Sequence, residues 1–317
     1  MRALVLDEHG ASVSDRPEPE ARPDWAVVRV AVAGICNTDL ELVRGYMGFR
    51  GVLGHEFTGT VEAGPPDWIG QRVVAEINFA CQTCGWCHRG LQRHCPHRQV
   101  LGIADADGAF AERVAVPVAN LHVVPGRVPD DAAVFAEPLA AAFEILEQLH
   151  LEPGVRCIVF GDGKLGLLVA QVLDAAGALV TAVGKHEDNL KVLAMRGIET
   201  YRLDSFPERA APVVVDATGS AAGFGRALAA TEPRGTLVLK STVADRFAAD
   251  LAPIVINEIR VLGSRCGPFE PALRALARNL INVAPLVSDR YPLARGVDGL
   301  ERASEPGIRK IILDIGA

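Results

Sequence analysis

The spacing of apolar positions changes near residue 130. Before it, short apolar runs (Ala3–Asp7, Trp25–Ala33, Glu56–Ala63, Arg72–Ile77, Phe110–Val116) stand between Gly- and Pro-rich stretches. That texture predicts a compact, barrel-like all-β region. After it, strand and helix patterns alternate. A helix is expected over Ala132–Leu149 and a buried strand over Val155–Phe160, followed by a helix whose apolar face is Leu165, Leu168, Val169, Val172, Leu173 and Ala176, closed by Gly177. Strand Leu179–Gly184, helix Glu187–Met195, strand Val213–Thr218, helix Ser220–Ala230 and strands Thr236–Lys240 and Arg260–Gly263 follow. Such alternation predicts an α/β, doubly wound parallel sheet. A helix over Pro271–Asn279 and a last strand over Lys310–Ile315 make a tail too small to be a domain. The tail is therefore expected to return to the first region, giving one domain from residues 1–125 with 267–317 and another from 126–266.

Length agrees, since 317 residues fit two cores. A net charge of -7 offers no basic face for a phosphate backbone, so nucleic acid is not expected as a partner. No apolar run approaches the roughly 18 residues of a membrane span, and Met1–Asp7 reads as a strand. A cytoplasmic protein without a membrane partner is expected. In that compartment disulfides are disfavoured, so the clustering of four of the seven cysteines between Cys81 and Cys95 points to metal.

The junction after Val155–Phe160 carries the first candidate chemistry. Gly161-Asp162-Gly163-Lys164-Leu165-Gly166 has the G-x-G-x-x-G spacing between a strand and a helix. There the first glycine makes the turn, the second lets a pyrophosphate approach the backbone, and the third lets helix and strand pack closely. Free N–H groups at the helix N-terminus favour the phosphates. Cys81, Cys84, Cys87 and Cys95 form C-x2-C-x2-C-x7-C, which can close a tetrahedral shell around a structural zinc. Cys36, His55 and Glu137 are each a good zinc ligand type. Three protein ligands with one open position make the catalytic kind of site.

Together these pieces resemble the zinc-dependent medium-chain dehydrogenase/reductase family. The resemblance spans the chain through Gly34-Ile35-Cys36-Asn37-Thr38-Asp39, Gly54-His55-Glu56, the cysteine loop, Glu137-Pro138-Leu139-Ala140, the glycine turn and Val215-Asp216-Ala217-Thr218-Gly219. Glutamate at the third-ligand motif, Glu137, resembles the polyol, glucose and threonine dehydrogenase branch more than the classical alcohol dehydrogenases, which place a cysteine there. The resemblance implies a GroES-like catalytic domain, a Rossmann coenzyme domain, and hydride transfer between nicotinamide and a small alcohol or its carbonyl. It implies a catalytic zinc on Cys36 and His55 with either Glu56 or Glu137 as third ligand, Asp39 fixing His55 from behind, and Thr38 bonding the substrate hydroxyl. Glu41 stands where relatives carry a proton-relay histidine. Relatives are dimers or tetramers, so a homodimer or homotetramer is expected.

Coenzyme contacts are expected from the turn residues 161–166, from Gly184, Lys185 and His186 at the next strand end, and from Ala217, Thr218, Lys240 and Ser241. An acid about 20 residues beyond the glycine turn reads the ribose of NAD, and Gly184 stands there with Lys185 beside it. NADP is therefore the expected preference, with NAD possible. Two rivals differ in metal content: a zinc-free enoyl or quinone reductase of the same fold would lack both metal sets, and a zinc-ribbon binding protein would lack the second.

Overall fold

The computed structural model describes residues 1–241 and 247–316. The chain divides into two compact units, Met1–Glu137 with Leu276–Arg278 and Val287–Ala317, and Pro138–Ala275 with Asn279–Leu286. Thr242–Arg246 and the final residue of the expected 267–317 segment lie outside the described residues.

The first unit is built on antiparallel strands. Trp25–Gly34 is its axis, pairing with Glu56–Ala63, with Arg113–Pro117 and with the C-terminal strand Lys310–Asp314. The register sets Gly34 opposite Glu56 on one side and opposite Ile312 on the other. The C-terminal strand thus lies in the first unit, and it delivers Lys310 next to the start of Glu56–Ala63. Phe110, Phe135, Leu4, Ile35, Leu42 and Leu53 are fully buried, each contributing about 1.5–3 kcal/mol of hydrophobic stabilisation.

The second unit holds a six-stranded sheet in the order Glu199–Arg202, Leu179–Gly184, Arg156–Phe160, Ala211–Asp216, Thr231–Leu239, Arg260–Gly263, with every pair parallel. Numbered along the chain, that order is 3-2-1-4-5-6, the doubly wound arrangement. Ile158, Phe160, Val183, Val214 and Leu237 form its core. Register aligns Phe160 with Val183 and Asp216, and Asp216 with Leu239. The glycine turn, Gly184–His186, Ala217–Gly219 and Lys240–Ser241 therefore all leave the same, C-terminal edge of the sheet.

Several elements differ from the pattern-based expectation. The helix expected over Ala132–Leu149 is two helices, Asp130–Ala133 and Ala136–Gln148, because Pro138 cannot sit inside a continuous helix but is tolerated in the first turn of one. Asp130–Ala133 belongs with the first unit, where Arg72 pairs with Asp130 at 3.5 Å and Arg290 with Asp131 at 2.5 Å. The helix expected from Pro271 runs Phe269–Ala277, and Asn279 beyond it is left-handed at φ 55°, a residue type that tolerates this conformation. Most of that helix falls in the second unit instead of the first. The backbone before it packs so closely there that a side chain on Gly267 would lie 1.8 Å from the Ala140 carbonyl oxygen. The strand Glu199–Arg202 carried no apolar alternation, because as an edge strand it buries none of its residues fully. Among the described residues, no helix is long and apolar enough to cross a membrane.

Gly54, just before His55, has φ 97°, and a Cβ there would lie 2.2 Å from the Phe110 ring. Gly54→Ala should therefore lose roughly 1–2 kcal/mol to the left-handed backbone and about 1–3 kcal/mol to overpacking. Urea unfolding checks this, and an unchanged midpoint would contradict the close packing of that turn.

Candidate active site

Cys36 caps the helix Asn37–Val43, and its N–H donates to Asp39 Oδ2 at 2.7 Å. The other Asp39 oxygen lies 3.3 Å from His55 Nδ1, with both side chains buried. One carboxylate thus orients Cys36 through its backbone and His55 through its ring. With Nδ1 turned to Asp39, Nε2 is the nitrogen left for a metal. Burial alone would hold His55 neutral, but the Asp39 charge and the contact with Cys36 raise its pKa well above the usual imidazole value.

Cys36, His55 and Glu56 bring one ligand atom each within 4.8 Å of one another. Glu137, the other candidate third ligand, begins the helix Ala136–Gln148 and is not in that group. Glu56 is fully buried and paired with the ammonium of Lys310, also fully buried. Lys310 further donates to the Ile35 carbonyl at 3.4 Å and lies 5.5 Å from the Phe135 ring centre. Gly34 forms the floor of this pair: a Cβ there would meet Glu56 Oε2 at 2.6 Å and Lys310 Cδ at 3.3 Å.

The charges test whether a metal fits. With Cys36 as a thiolate and His55 neutral, the forms in which each can hold a metal, Asp39, Glu56 and Cys36 carry three negative charges against the one positive charge of Lys310, and a divalent cation would balance the group. Glu56 Oε1 is buried without a hydrogen-bond partner, a costly state for a carboxylate oxygen unless an ion takes it. Cysteine, imidazole and carboxylate make a borderline-soft donor set that suits zinc.

The second cysteine group fits as well. Adjacent sulfurs lie 3.6 to 4.0 Å apart (Cys84–Cys87, Cys95–Cys81, Cys84–Cys95, Cys81–Cys87), near the roughly 3.8 Å edge of a tetrahedral tetrathiolate zinc shell. Thr83, donating from its N–H and hydroxyl, lowers the Cys81 pKa to about 5, and the Cys87 N–H lowers that of Cys84. Burial instead pushes Cys87 up to about 12, so filling the set with thiolates calls for a cation. None of the seven cysteines is in a disulfide.

Thr38 lies beside the metal group, its hydroxyl 3.9 Å from Cys36 Sγ. Glu41 is drawn away, pairing with Arg44 at 2.7 Å on the half-exposed face of the same helix.

In the second unit the glycines behave as the spacing predicts. A Cβ on Gly161 would lie 2.6 Å from the Ala217 oxygen and one on Gly166 would lie 1.9 Å from the Gly161 oxygen, whereas Gly163 faces open space at the helix start. That opening before Lys164–Ala175 is a cradle for a pyrophosphate. Asp216 Oδ1 takes the N–H and hydroxyl of Thr218 at 2.9 and 2.7 Å, fixing the Ala217-Thr218-Gly219 turn. Ser241 approaches that turn at Gly219. Lys240 is a correction: its ammonium is buried and bonds the Ala141 oxygen at 2.6 Å, Ser264 Oγ at 3.1 Å and the Arg265 oxygen at 2.9 Å. With its donors spent on the protein, it ties strand ends to the helix Ala136–Gln148.

Comparison with known proteins agrees with both halves. The alcohol dehydrogenase GroES-like domain matches residues 22–126, and the zinc-binding dehydrogenase domain matches residues 165–281. D-altritol 5-dehydrogenase of Agrobacterium fabrum is 30% identical, covering 98% of each chain. The chain belongs to the zinc-type medium-chain dehydrogenase family. D-arabitol-phosphate dehydrogenase of Enterococcus avium is 28% identical over 95% of this chain and 92% of its own. A Sinorhizobium meliloti protein described as a zinc-binding dehydrogenase, and solved bound to NADP, superposes with a TM-score of 0.90 at 25% identity over 99% of both chains. Like these family members, the protein is an oxidoreductase of the alcohol dehydrogenase kind, acting on CH–OH groups.

Sequence reasoning missed two residues of this family member. Lys310 reaches Glu56 across a separation of 254 residues, and no local pattern marks it. Asp162 entered only as part of the glycine turn, yet its carboxylate lies over Gly184, the position whose missing acid motivated the NADP expectation.

Removing Lys310 should expose the charge imbalance. Lys310→Met is expected to destabilise the chelated protein by about 3–5 kcal/mol, the cost of stranding a buried charge, and far less in excess zinc, which supplies positive charge to the same acids. Thermal melts with and without chelator read this, and equal losses in both would contradict a cation at Glu56.

Proposed function

We propose that the protein is a zinc- and nicotinamide-dependent dehydrogenase that oxidises a polyol, sugar or other secondary alcohol, or reduces the matching carbonyl. The observation that carries this reading is the convergence of Cys36 with the buried His55 and Glu56 within 4.8 Å, Glu56 Oε1 having no hydrogen-bond partner. The two relatives named for polyol and polyol-phosphate oxidation support the substrate class.

Cys36, His55 and Glu56 would hold the catalytic zinc, with Glu56 preferred to Glu137 as third ligand, and the four-cysteine loop would hold a structural one. When bound, zinc supplies Lewis-acid chemistry, lowering the pKa of an alcohol oxygen toward neutrality. Asp39 keeps His55 in the tautomer that presents Nε2. Thr38, beside Cys36, would accept the proton of the substrate hydroxyl and pass it on to solvent. Glu41, engaged by Arg44, is assigned no part in that path. Gly163 and the start of Lys164–Ala175 would seat the pyrophosphate, and Ala217, Thr218 and Ser241 the nicotinamide ribose.

A cytoplasmic setting suits seven reduced thiols. A homodimer or homotetramer is supported by the last strand of the parallel sheet, Arg260–Gly263, and the adjoining helix Ala252–Ile256, where Val255 and Ile256 are 75% and 77% exposed. Light scattering reads that state directly.

His55→Ala should lower kcat/KM by about three orders of magnitude, as expected for losing several kcal/mol of transition-state stabilisation, while the far-UV spectrum is kept. A panel of polyols, polyol phosphates, aldoses and simple secondary alcohols, followed as nicotinamide absorbance, checks both mutant and substrate class. Undiminished turnover in His55→Ala would overturn the metal mechanism.

A further inference from the structure

The second strand of the parallel sheet ends at Gly184, where dinucleotide-binding folds usually carry the acid that reads the adenosine ribose. In this chain that space is filled from elsewhere. A Cβ on Gly184 would lie 2.4 Å from Asp162 Cβ, 2.5 Å from its Cγ and 2.7 Å from its Oδ2. Asp162 stands between Gly161 and Gly163 in the pyrophosphate turn, and its side chain crosses to the neighbouring strand end. Residue 184 has to be glycine here, since any side chain would occupy the volume of that carboxylate.

The carboxylate is fixed in place. Oδ2 accepts the His186 N–H at 2.5 Å and lies 3.1 Å from His186 Nδ1, while the Asp162 carbonyl accepts from Asn189 Nδ2 at 2.9 Å. Both His186 contacts end on Oδ2, so Oδ1 is clear of that residue. The nearby cations divide unevenly. Arg202, paired in register with Gly184, donates to the Lys185 carbonyl at 2.8 Å and to Asp204 at 3.2 and 3.4 Å. Its charge is therefore shared with Asp204, whereas Lys185 is exposed.

We propose that Asp162 reads the adenosine ribose in place of a strand-end acid, and that it makes the site select NAD over NADP. This rests on the reading that the glycine turn binds a nicotinamide dinucleotide. A ribose 2′-hydroxyl donates to a carboxylate, whereas a 2′-phosphate brings about 1.5 to 2 negative charges against it. The exposed Lys185 opposes this repulsion through solvent, where its charge is screened, while the 93%-buried geometry of the acid keeps Asp162 at the site. The same contacts make residues 162 and 184 a coupled pair, with room for one acid between them.

Calorimetric titration of the full-length protein with ADP-ribose and with 2′-phospho-ADP-ribose, at one fixed salt concentration, tests the assignment without turnover. The wild type should bind ADP-ribose the more tightly by about tenfold, and Asp162→Asn should remove most of that preference. Gly184→Asp alone should weaken both probes, and Asp162→Gly combined with Gly184→Asp should restore the wild-type preference. A wild type that binds the 2′-phosphorylated probe as well or better, or an Asp162→Asn protein with an unchanged ratio, would overturn the assignment. If the wild type bound neither probe, the dinucleotide reading itself would fall, and the assignment with it.

Discussion

The structure turns on two carboxylates buried side by side with the groups that must answer them. Asp39 and Glu56 are wholly withdrawn from water; Lys310 is the buried ammonium paired with Glu56, while His55 and the Cys36 N–H face Asp39. Burying a carboxylate costs several kcal/mol unless it is paired, so the strands that meet here are constrained together. Glu56 begins one strand, Gly34 ends its neighbour, and Lys310 begins the strand on the other side. Antiparallel register sets Gly34 between Glu56 and Ile312, and the Lys310 side chain, two residues before Ile312, reaches Glu56 across Gly34. The tail of the chain is therefore part of the site, and the glycine before Ile35 and Cys36 is fixed by the ion pair above it.

Asp39 shows how few residues are needed to preorganise such a centre. Its two oxygens address the backbone of Cys36 and the ring of His55, so two candidate ligands nineteen residues apart in sequence share one orienting group. Asp162 performs a comparable office in the other unit, joining the glycine turn to the next strand end through His186 and Asn189. In both places a short acid spans two loops, and the chemistry of the loop depends on it.

Features encoded by local spacing were legible in the sequence. Glycines at 161, 163 and 166 and cysteines at 81, 84, 87 and 95 lie close enough along the chain that their geometry follows from one turn or one loop. Cys36, His55 and Glu56 were legible only through their joint resemblance to a family, and that Glu56 gathers with Cys36 and His55 while Glu137 is outside the group needed the tertiary structure. Lys310 and Asp162 were not legible as functional groups, because each acts on a residue made its neighbour by tertiary structure alone. Lys240 read as a cleft residue for the same reason: its strand end was placed correctly, but the carbonyls that absorb its ammonium come from Ala141 and Arg265. Pro138 could have warned that Ala132–Leu149 was not one helix, since a proline well inside a helical pattern breaks it.

The central claim is that two separate side-chain groups each hold one zinc, and that the Cys36–His55–Glu56 group is the catalytic one. Elemental analysis of the purified wild type and of His55→Ala tests it most directly. The account predicts about two zinc ions per chain in the wild type and about one in His55→Ala, the remaining ion being lost only on denaturation or on substitution within Cys81–Cys95. One ion per chain in both proteins would contradict it.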